Sequence, residues 1–244
     1  MNAALRKIGA LTIKDFSDLL KNPVTVVCAI MPIGFMLLYR YGMMGNFNGE
    51  ETIFFTNFLV SIATCMTAGM VGSMVILYTI AEEREKHTLR TLMLANVSAG
   101  HVLIAKSIVA MVTIAVVDII CYFVVGADLQ YLAPFVLIAM FGSLPVVLIA
   151  LLCGLFARDQ MSSGLYSLPV ILLAMVPMVS MLNDTVEVVA RFSPCGGAVD
   201  LITLLLNGTL MTSDAIQPLI ITLAWIAVTT VLFFVLYKKT SKDN

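Results

Sequence analysis

Charge is scarce in this chain. Only 12% of its 244 residues are Asp, Glu, Lys or Arg, whereas 60% are hydrophobic, and the mean hydropathy is +1.01. Soluble globular domains carry about 25% charged residues, so a water-soluble fold is excluded. The 14 basic and 15 acidic residues nearly cancel, which leaves no basic stripe for a nucleic-acid backbone. The composition therefore predicts a membrane protein with no nucleic-acid partner.

The residues that catalysis and metal binding require are also missing. Both histidines, His87 and His101, lie in one short connection, so no apolar run pairs a histidine with a serine or cysteine nucleophile. Their spacing matches no zinc pattern, and the chain has no GxxxxGK phosphate loop. We therefore predict no catalytic residue, no metal ligand and no cofactor in this chain. A role driven by ATP would need a second polypeptide to bind ATP and Mg²⁺.

Long apolar runs are present instead. They occupy residues 24–42, 53–80, 102–127, 131–156, 165–182 and 217–237. Each is close to or above the ~20 residues that cross a bilayer as a helix. The prediction is an all-α integral membrane protein with six transmembrane helices in one domain over residues 1–244.

Basic residues fall mainly on one side of the predicted bilayer. They precede the first run, follow the sixth, and occupy the connections between runs two and three and between runs four and five. The opposite side carries only Arg40 and Arg191. By the positive-inside rule both termini lie in the cytoplasm. We expect a multi-pass protein of a bacterial cell membrane.

Residues 1–22 have an amphipathic pattern. Ile8, Phe16 and Leu19 share one arc of a helical projection, and lysine and aspartate fill most of the remainder. The helix is predicted to end before Pro23, because proline disfavours helix at the residue before it. This segment is expected to lie at the membrane interface, either as an anchor on membrane lipids or as a lever on a partner.

Residues 183–216 connect the fifth and sixth runs and form the longest connection on the predicted extracytoplasmic side. The stretch from Val199 to Leu206 is too short to cross a bilayer and too apolar to be fully solvated. Non-helical backbone at membrane depth needs protein or a water-filled cavity around it. We therefore predict an extracytoplasmic re-entrant hairpin before the last helix.

Residues 82–101 form a charged cytoplasmic connection. It opens with five consecutive charged residues, Glu82, Glu83, Arg84, Glu85 and Lys86. Leu89, Leu92 and Met93 follow at positions i, i+3 and i+4 and share one helical face. Because so short a connection has little of its own protein to pack on, a partner groove or the membrane surface must cover this face.

This connection carries a family resemblance. The run Glu83-Arg84-Glu85-Lys86-His87-Thr88-Leu89, followed by Leu92, Val97-Ser98 and Lys106, resembles the cytoplasmic signature of the type-two ATP-binding-cassette (ABC) transporter permeases. The amphipathic entry helix, Lys21-Asn22-Pro23, Pro32 and Ser193-Pro194 are similar to elements of the same family. The chain departs from it at His87, where the family usually has glycine, and at Asn96, where it usually has proline.

The resemblance implies a permease subunit without its own ATPase domain. Such a subunit pairs with a second copy or with a related permease, and two copies of a cytoplasmic ABC ATPase energise it. Export is the family's expectation. Hydrophobic drugs or small amphipathic peptides rank first as substrates, because no cluster of cations is ready for a polyanion. Lipids and lipid-linked glycans remain open.

The resemblance also implies roles for individual residues. It makes residues 82–101 a coupling helix in which Glu82, Glu83, Arg84 and Glu85 provide the polar link from the second span. Thr88, Leu89 and Leu92 would enter a cleft on the ATPase. Arg158 and Asp159 would form a weaker second contact. The alternative interpretation of these charges is an ordinary solvated run.

Methionines recur on two of the runs. The second run carries Met66, Met70 and Met74, and the fifth carries Met175, Met178 and Met181. Related permeases form their path from spans two and five, so the resemblance makes these methionines a candidate substrate path. The plainer interpretation is packing or lipid contact.

Asp118 is the one acidic side chain deep inside an apolar run. A charge there is costly unless it faces a partner or water. It either makes a structural hydrogen bond to another span or serves as the proton or ion site of a secondary transporter or channel that needs no ATPase. A third class, a membrane scaffold or sensor without transport, also stays open.

Overall fold

The computed structural model describes residues 3–43, 49–86, 88, 98–157, 159–179 and 184–240. Every regular element in these ranges is helical, and six helices are long and apolar enough to cross a membrane. The all-α fold with six spans predicted from the sequence is therefore confirmed. The helices are α1 (Ala3–Lys21), α2 (Pro23–Met43), α3 (Glu50–Met66), α4 (Ser73–Glu85), α5 (Ala99–Val125), α6 (Leu132–Gly154), α7 (Gln160–Val179), α8 (Asp184–Arg191), α9 (Gly196–Leu206) and α10 (Ile216–Thr240).

The spans are numbered in chain order. Helices α2, α5, α6, α7 and α10 are spans one, three, four, five and six. Span two consists of α3 and α4, joined by the π-helical segment Thr67–Gly72. It is therefore the one span in the described part of the chain whose helix changes its hydrogen-bonding pattern midway.

Local signals set where several helices begin and end. The Asn22 side chain accepts a hydrogen bond from the Val24 N–H at 3.0 Å, and Pro23 opens span one, where its missing N–H is not needed. Span three begins with a capping box between Ser98 and His101. It ends at Gly126, whose φ of 79° is a left-handed conformation that favours glycine.

Span two is the central helix of the bundle. In its most apolar window 89% of the residues are buried, against 22%, 28% and 17% for spans one, five and six. Its π-helical segment contacts spans one, three, four and five. Close approach is possible because a Cβ on Gly69 would lie only 3.1 Å from the Ala174 Cβ of span five. Spans one, three, four and five therefore surround span two, whereas span six packs on span four and α9.

Helix α1 marks one end of the bundle. It packs mainly on span three and also contacts spans one and two. Leu11 and Leu19 are buried against the bundle, whereas Leu5, Ile13 and Leu20 are exposed. We call this end the α1 end. The interfacial position predicted for the helix would cover these exposed leucine and isoleucine side chains.

Helices α8 and α9 form a helical hairpin at the opposite end, which we call the hairpin end. Helix α9 contacts spans two, four and six. Small residues allow this: a Cβ on Gly142 of span four would overlap Ala198, and one on Gly197 would lie 2.5 Å from the Pro218 carbonyl oxygen of span six. With 11 residues, α9 is roughly 16 Å long, about half the bilayer core. Its re-entrant position in a membrane stays a prediction.

Candidate functional site

Glu82 and Glu83, at the end of span two, make polar contacts with α1 and span three. Glu82 accepts a hydrogen bond from the Asn22 side-chain amide at 3.3 Å, at the junction between α1 and span one. Glu83 pairs through the same oxygen with Lys14 of α1 at 3.0 Å and with Lys106 of span three at 3.3 Å. This part of span two is therefore tied to three neighbouring segments.

The next two charged residues reach the other side of the bundle. The Arg84 guanidinium donates to the Ala157 carbonyl oxygen, just after span four, at 2.9 Å. The Glu85 carboxylate accepts from the Gln160 backbone N–H, at the first residue of span five, at 3.3 Å. Four consecutive residues at the end of span two thus bond different parts of the α1 end.

Glu83 belongs to a cluster of four charged side chains, three of them buried, which we call the ion cluster. Its members are Lys14, Asp15, Glu83 and Lys106. Lys106 is 2% exposed, Asp15 4% and Glu83 6%, so three of the charges have little access to water. Lys14 also pairs with the half-exposed Asp18 at 3.3 Å, so Lys14 and Lys106 together face three carboxylates. Removing one partner would leave an uncompensated buried charge, which is costly.

The environment of the ion cluster changes the acidity of its α1 members. Burial raises the pKa of Asp15 above its usual value, and the nearby charge of Lys106 offsets this only in part. Burial also opposes the charged form of Lys14, but the hydrogen bond and charge of Glu83 raise its pKa overall. One Glu83 oxygen, Oε2, is buried without a hydrogen-bond partner among the described residues.

The remaining predicted coupling residues are only partly described. The Thr88 hydroxyl donates to the Glu83 carbonyl oxygen at 3.2 Å, so it stays close to the end of span two. Leu89 and Leu92 lie outside the described residues. Their entry into a partner cleft therefore stays a prediction.

The predicted second contact lies at the start of span five. Arg158 is outside the described residues. The Asp159 carboxylate accepts from the Ser162 backbone N–H at 2.7 Å, which caps the first turn of this helix. A capping role accounts for this side chain, and a contact with a partner stays a prediction.

A polar cavity of about 560 Å³ adjoins the ion cluster. It is bordered by α1, the end of span two and the start of span five, and its lining includes lysines as well as carboxylates. The Tyr78 hydroxyl and the Gln160 side-chain oxygen lie 2.6 Å apart at its border. The cavity is therefore shared by α1, span two, span three and span five, all of which Glu82 to Glu85 bond or belong to.

The methionines of spans two and five lie mainly within the bundle. Met66 is buried in the main hydrophobic core, and Met70, Met175 and Met178 pack against that core. Met74 is half-buried, and Met181 lies outside the described residues. This arrangement gives the methionines a packing role, and their use as a substrate path stays a prediction.

Asp118 faces the π-helical segment of span two. It is fully buried, and its Oδ1 accepts a hydrogen bond from the Thr67 hydroxyl at 2.6 Å. Its Oδ2 has no hydrogen-bond partner among the described residues. Asp118 therefore links span three to the point where the helical pattern of span two changes.

Sequence reasoning did not foresee the ion cluster. The sequence identifies Lys106 only as the lysine of the family signature that opens span three. It assigns Lys14 and Asp15 only to the polar face of α1. The one available signal was Lys106 itself, a cation inside an apolar run. A buried cation requires an anionic partner, but the sequence does not say which carboxylate supplies it.

The fold and this site define the chain as a polytopic α-helical membrane protein whose charged end is tied together through span two. The family model described as "ABC-2 family transporter protein" matches residues 44–236, most of the chain. The chain therefore belongs to the ABC-2 transporter family and is a membrane-spanning permease subunit of an ABC transporter. The matched region begins after α1 and span one. A comparison with curated proteins found no match.

Proposed function

We propose that this chain is the permease subunit of an ATP-driven exporter and that a separate ABC ATPase energises it from the α1 end. The observation that carries the proposal is the set of bonds made by Glu82 to Glu85. A displacement of this one segment reaches α1, span three, the end of span four and the start of span five together.

The mechanism follows from this connection. Residues 82–101 would form the coupling segment, with Thr88, Leu89 and Leu92 in a cleft of the ATPase. ATP binding would bring two ATPase copies together and move the end of span two. The π-helical segment Thr67–Gly72 offers a point at which span two can bend, since π-bulges are among the places where helices kink and are frequent at functional sites. Spans two and five would then separate to open a path.

The proposed assembly contains two permeases and two ATPases. The ATPases would bind ATP and Mg²⁺ and would lie at the cytoplasmic α1 end, with both termini of the permease on the same side. The second permease is either another copy of this chain or a related one. The assembly would lie in a bacterial cell membrane.

Hydrophobic drugs or small amphipathic peptides are the proposed substrates. The cations described at the hairpin end are already engaged: Arg40 donates to the Val125 carbonyl oxygen, and Arg191 pairs with Glu187 at 3.0 Å. A polyanionic substrate would need several free cations along its path. An apolar or amphipathic molecule requires none.

Co-purification with an ABC ATPase tests the proposal. The chain is co-expressed in full with an ABC ATPase of the same genome, and ATPase recovery and ATP turnover are measured in mild detergent. The double substitution Leu89→Asp with Leu92→Asp should abolish recovery of the ATPase. The matched control, Thr91→Asp with Leu94→Asp, adds the same charge on the other side of a helix and should retain it.

The outcomes are distinct. Loss of the ATPase in the first double variant alone, with the permease still recovered as folded protein, supports docking at this segment. Equal loss in both pairs would point to a general charge effect and contradict a specific contact. Wild-type permease that never retains an ATPase would overturn the proposal.

Asp118 supports a second candidate function, a secondary transporter or channel without an ATPase. Its favouring observation is the buried Oδ2 without a hydrogen-bond partner among the described residues, because an open carboxylate oxygen could take up a proton or an ion. Proteoliposomes containing the chain alone would be given a proton gradient. Proton uptake into the proteoliposomes that Asp118→Asn abolishes would favour this candidate. Absence of proton uptake by the wild-type chain would exclude it.

A further inference from the structure

An apolar groove lies on the outside of the bundle at the hairpin end. Its volume is about 410 Å³, and it runs between the later turns of span five, the end of α8 and span six. We call it the α8 groove. Val188, Val189 and Phe192 on its border are each more than half exposed. No described residue of span two borders the groove, so it is separate from the contact between spans two and five.

The walls of the α8 groove are held in place by contacts of the hairpin. The indole N–H of Trp225, the only tryptophan of the chain, donates to the Phe192 carbonyl oxygen at 2.8 Å. This bond joins span six to the turn after α8. On the other side α8 packs on span five. The turn between α8 and α9 is tight, because a Cβ on Gly196 would overlap the Ala190 carbonyl oxygen. The groove is therefore a preformed feature of the fold.

The lining of the α8 groove contains a polar group that lacks a partner. Ser193 is 6% exposed, and its hydroxyl has no hydrogen-bond partner among the described residues. A buried hydroxyl in this state is unfavourable, because it has lost its hydrogen bonds to water without replacing them. By contrast, the equally buried Ser167 of span five donates to the Gly164 carbonyl oxygen at 2.8 Å. The Ser193 hydroxyl is therefore open to an acceptor from outside the chain.

The two sides of α8 indicate the depth at which the groove meets the membrane. Glu187 and Arg191 pair at 3.0 Å along one side of this helix, and both side chains are well exposed. Val188 and Val189 lie on the other side and are 64% and 65% exposed. Exposed charges are costly in hydrocarbon, whereas exposed valines are unfavourable in water. We therefore expect α8 to lie where headgroups meet acyl chains, with the groove on the acyl-chain side.

Glycerophospholipids supply matching groups at this depth. Their ester carbonyl oxygens lie where the headgroup region meets the hydrocarbon core, and their acyl chains begin there. A carbonyl oxygen can accept the hydrogen bond that the Ser193 hydroxyl does not make within the described part of the chain. An acyl chain would cover the exposed valine and phenylalanine side chains on the border of the groove.

The charges beside the α8 groove favour a headgroup without net charge. Arg191 pairs with Glu187 at 3.0 Å and with Asp200 of α9 at 3.5 Å. One guanidinium faces two carboxylates, so this group of three side chains keeps a negative charge. A lipid with a net negative headgroup is repelled by it, whereas the ammonium group of an ethanolamine headgroup is attracted.

We propose that the α8 groove binds a glycerophospholipid with a net-neutral headgroup, phosphatidylethanolamine, from the leaflet at the hairpin end. An acyl chain lies along Leu173, Val176 and Val189, and an ester carbonyl accepts a hydrogen bond from Ser193. The lipid is a resident ligand of the hairpin and not the transported substrate. The inference thus goes beyond the proposed function, and binding requires neither the ATPase nor transport.

Photo-cross-linking from the border of the groove tests the proposal. Phe192 is replaced by p-benzoylphenylalanine, and the full chain is reconstituted in vesicles of phosphatidylethanolamine and phosphatidylglycerol in equal amounts with identical acyl chains. Burial raises the pKa of Asp200 to about 6, so the vesicles are kept at about pH 8, where both carboxylates are ionised. After illumination, mass spectrometry identifies the adducts. We expect phosphatidylethanolamine adducts to exceed phosphatidylglycerol adducts by about threefold or more.

A second phenylalanine provides the matched control. Phe234 of span six is 64% exposed, against 56% for Phe192, and it does not border the groove. The same probe at Phe234 should give adducts in the proportion of the two lipids in the vesicle. With the probe at Phe192, Ser193→Ala should bring the adducts close to that proportion, because the lipid is no longer held. Ser167→Ala, which removes a hydroxyl outside the groove, should leave the excess unchanged.

Two results would overturn the inference. The first is the same lipid proportion in the adducts of the probes at Phe192 and Phe234. The second is a Phe192 probe that joins mainly to a second permease, because protein would then cover the groove. If Ser193→Ala is not recovered as folded protein, the comparison of the two probe positions still decides the question. A lipid excess in a chain that never retains an ATPase would support the groove assignment and contradict the proposed energisation alone.

Discussion

At the scale of single residues, Lys106 holds a positive charge at a position that is 2% exposed. Lys106→Met would leave Asp15 and Glu83 with Lys14 as their remaining cation in the ion cluster. We expect the free energy of unfolding to fall by about 3 kcal/mol, because an uncompensated buried charge is costly. Thermal unfolding in detergent measures the change.

The control for this prediction is Lys86→Met. Lys86 pairs with Glu82 at 2.5 Å but is 62% exposed, so its loss should leave the melting temperature nearly unchanged. Adding Asp15→Asn to Lys106→Met should recover part of the lost stability. Equal melting temperatures for Lys106→Met and Lys86→Met would show that the ion cluster contributes no more than a surface pair.

The sequence predicts which residues belong to the charged site but not which residues they contact. Glu82 to Glu85 could be assigned to the site because four charges interrupt an apolar pattern and match a family signature. Their bonds could not be predicted, because Lys14 and Glu83 are 69 positions apart and meet only when α1 packs on the bundle. A structural hydrogen bond between Asp118 and another span is one of the two alternatives that the sequence leaves open, but its partner Thr67 could not be named because it lies 51 positions away in the chain.

At the scale of helices, hydropathy predicted the six spans because burial in lipid requires about 20 apolar residues whatever the partner helices are. It did not predict the π-helical segment. Thr67–Gly72 lies within the single predicted run 53–80, and its π-helical hydrogen bonding is seen in the folded bundle, where four other spans contact it.

The contact between spans two and five gives a testable prediction. Gly69→Ala places a Cβ 3.1 Å from the Ala174 Cβ, so the helices must separate slightly. We expect a loss of about 1 kcal/mol, since overpacking outweighs the gain in helix propensity. Adding Ala174→Gly should restore the space and most of the stability. The change is measured by thermal unfolding.

Gly164→Ala is the matched control for Gly69→Ala. It lies in span five, where nothing stands within 4 Å of the added Cβ. It should stabilise the protein by about 0.5–1 kcal/mol through helix propensity alone. Destabilisation by both substitutions to the same extent would show that the close approach of Gly69 and Ala174 does not limit the packing.

At the scale of the whole molecule, burial is distributed unevenly. Span two is 89% buried in its most apolar window, whereas spans one, five and six are below 30%. The exposed faces of these three spans must contact lipid or another permease. We predict that span five, which packs on span two, is the span that faces the second permease.

Cross-linking of single cysteines tests this arrangement. In a chain whose five native cysteines are replaced, Leu172→Cys places a thiol on span five and Val231→Cys places one on span six. Both positions are well exposed, at 67% and 61%, so their accessibility is matched. We expect oxidation in native membranes to join two chains through Leu172→Cys and not through Val231→Cys. Equal cross-linking at both would contradict span five as the dimer face. A Leu172→Cys product that joins this chain to a cysteine of a different permease would instead identify a heterodimer that uses the same span.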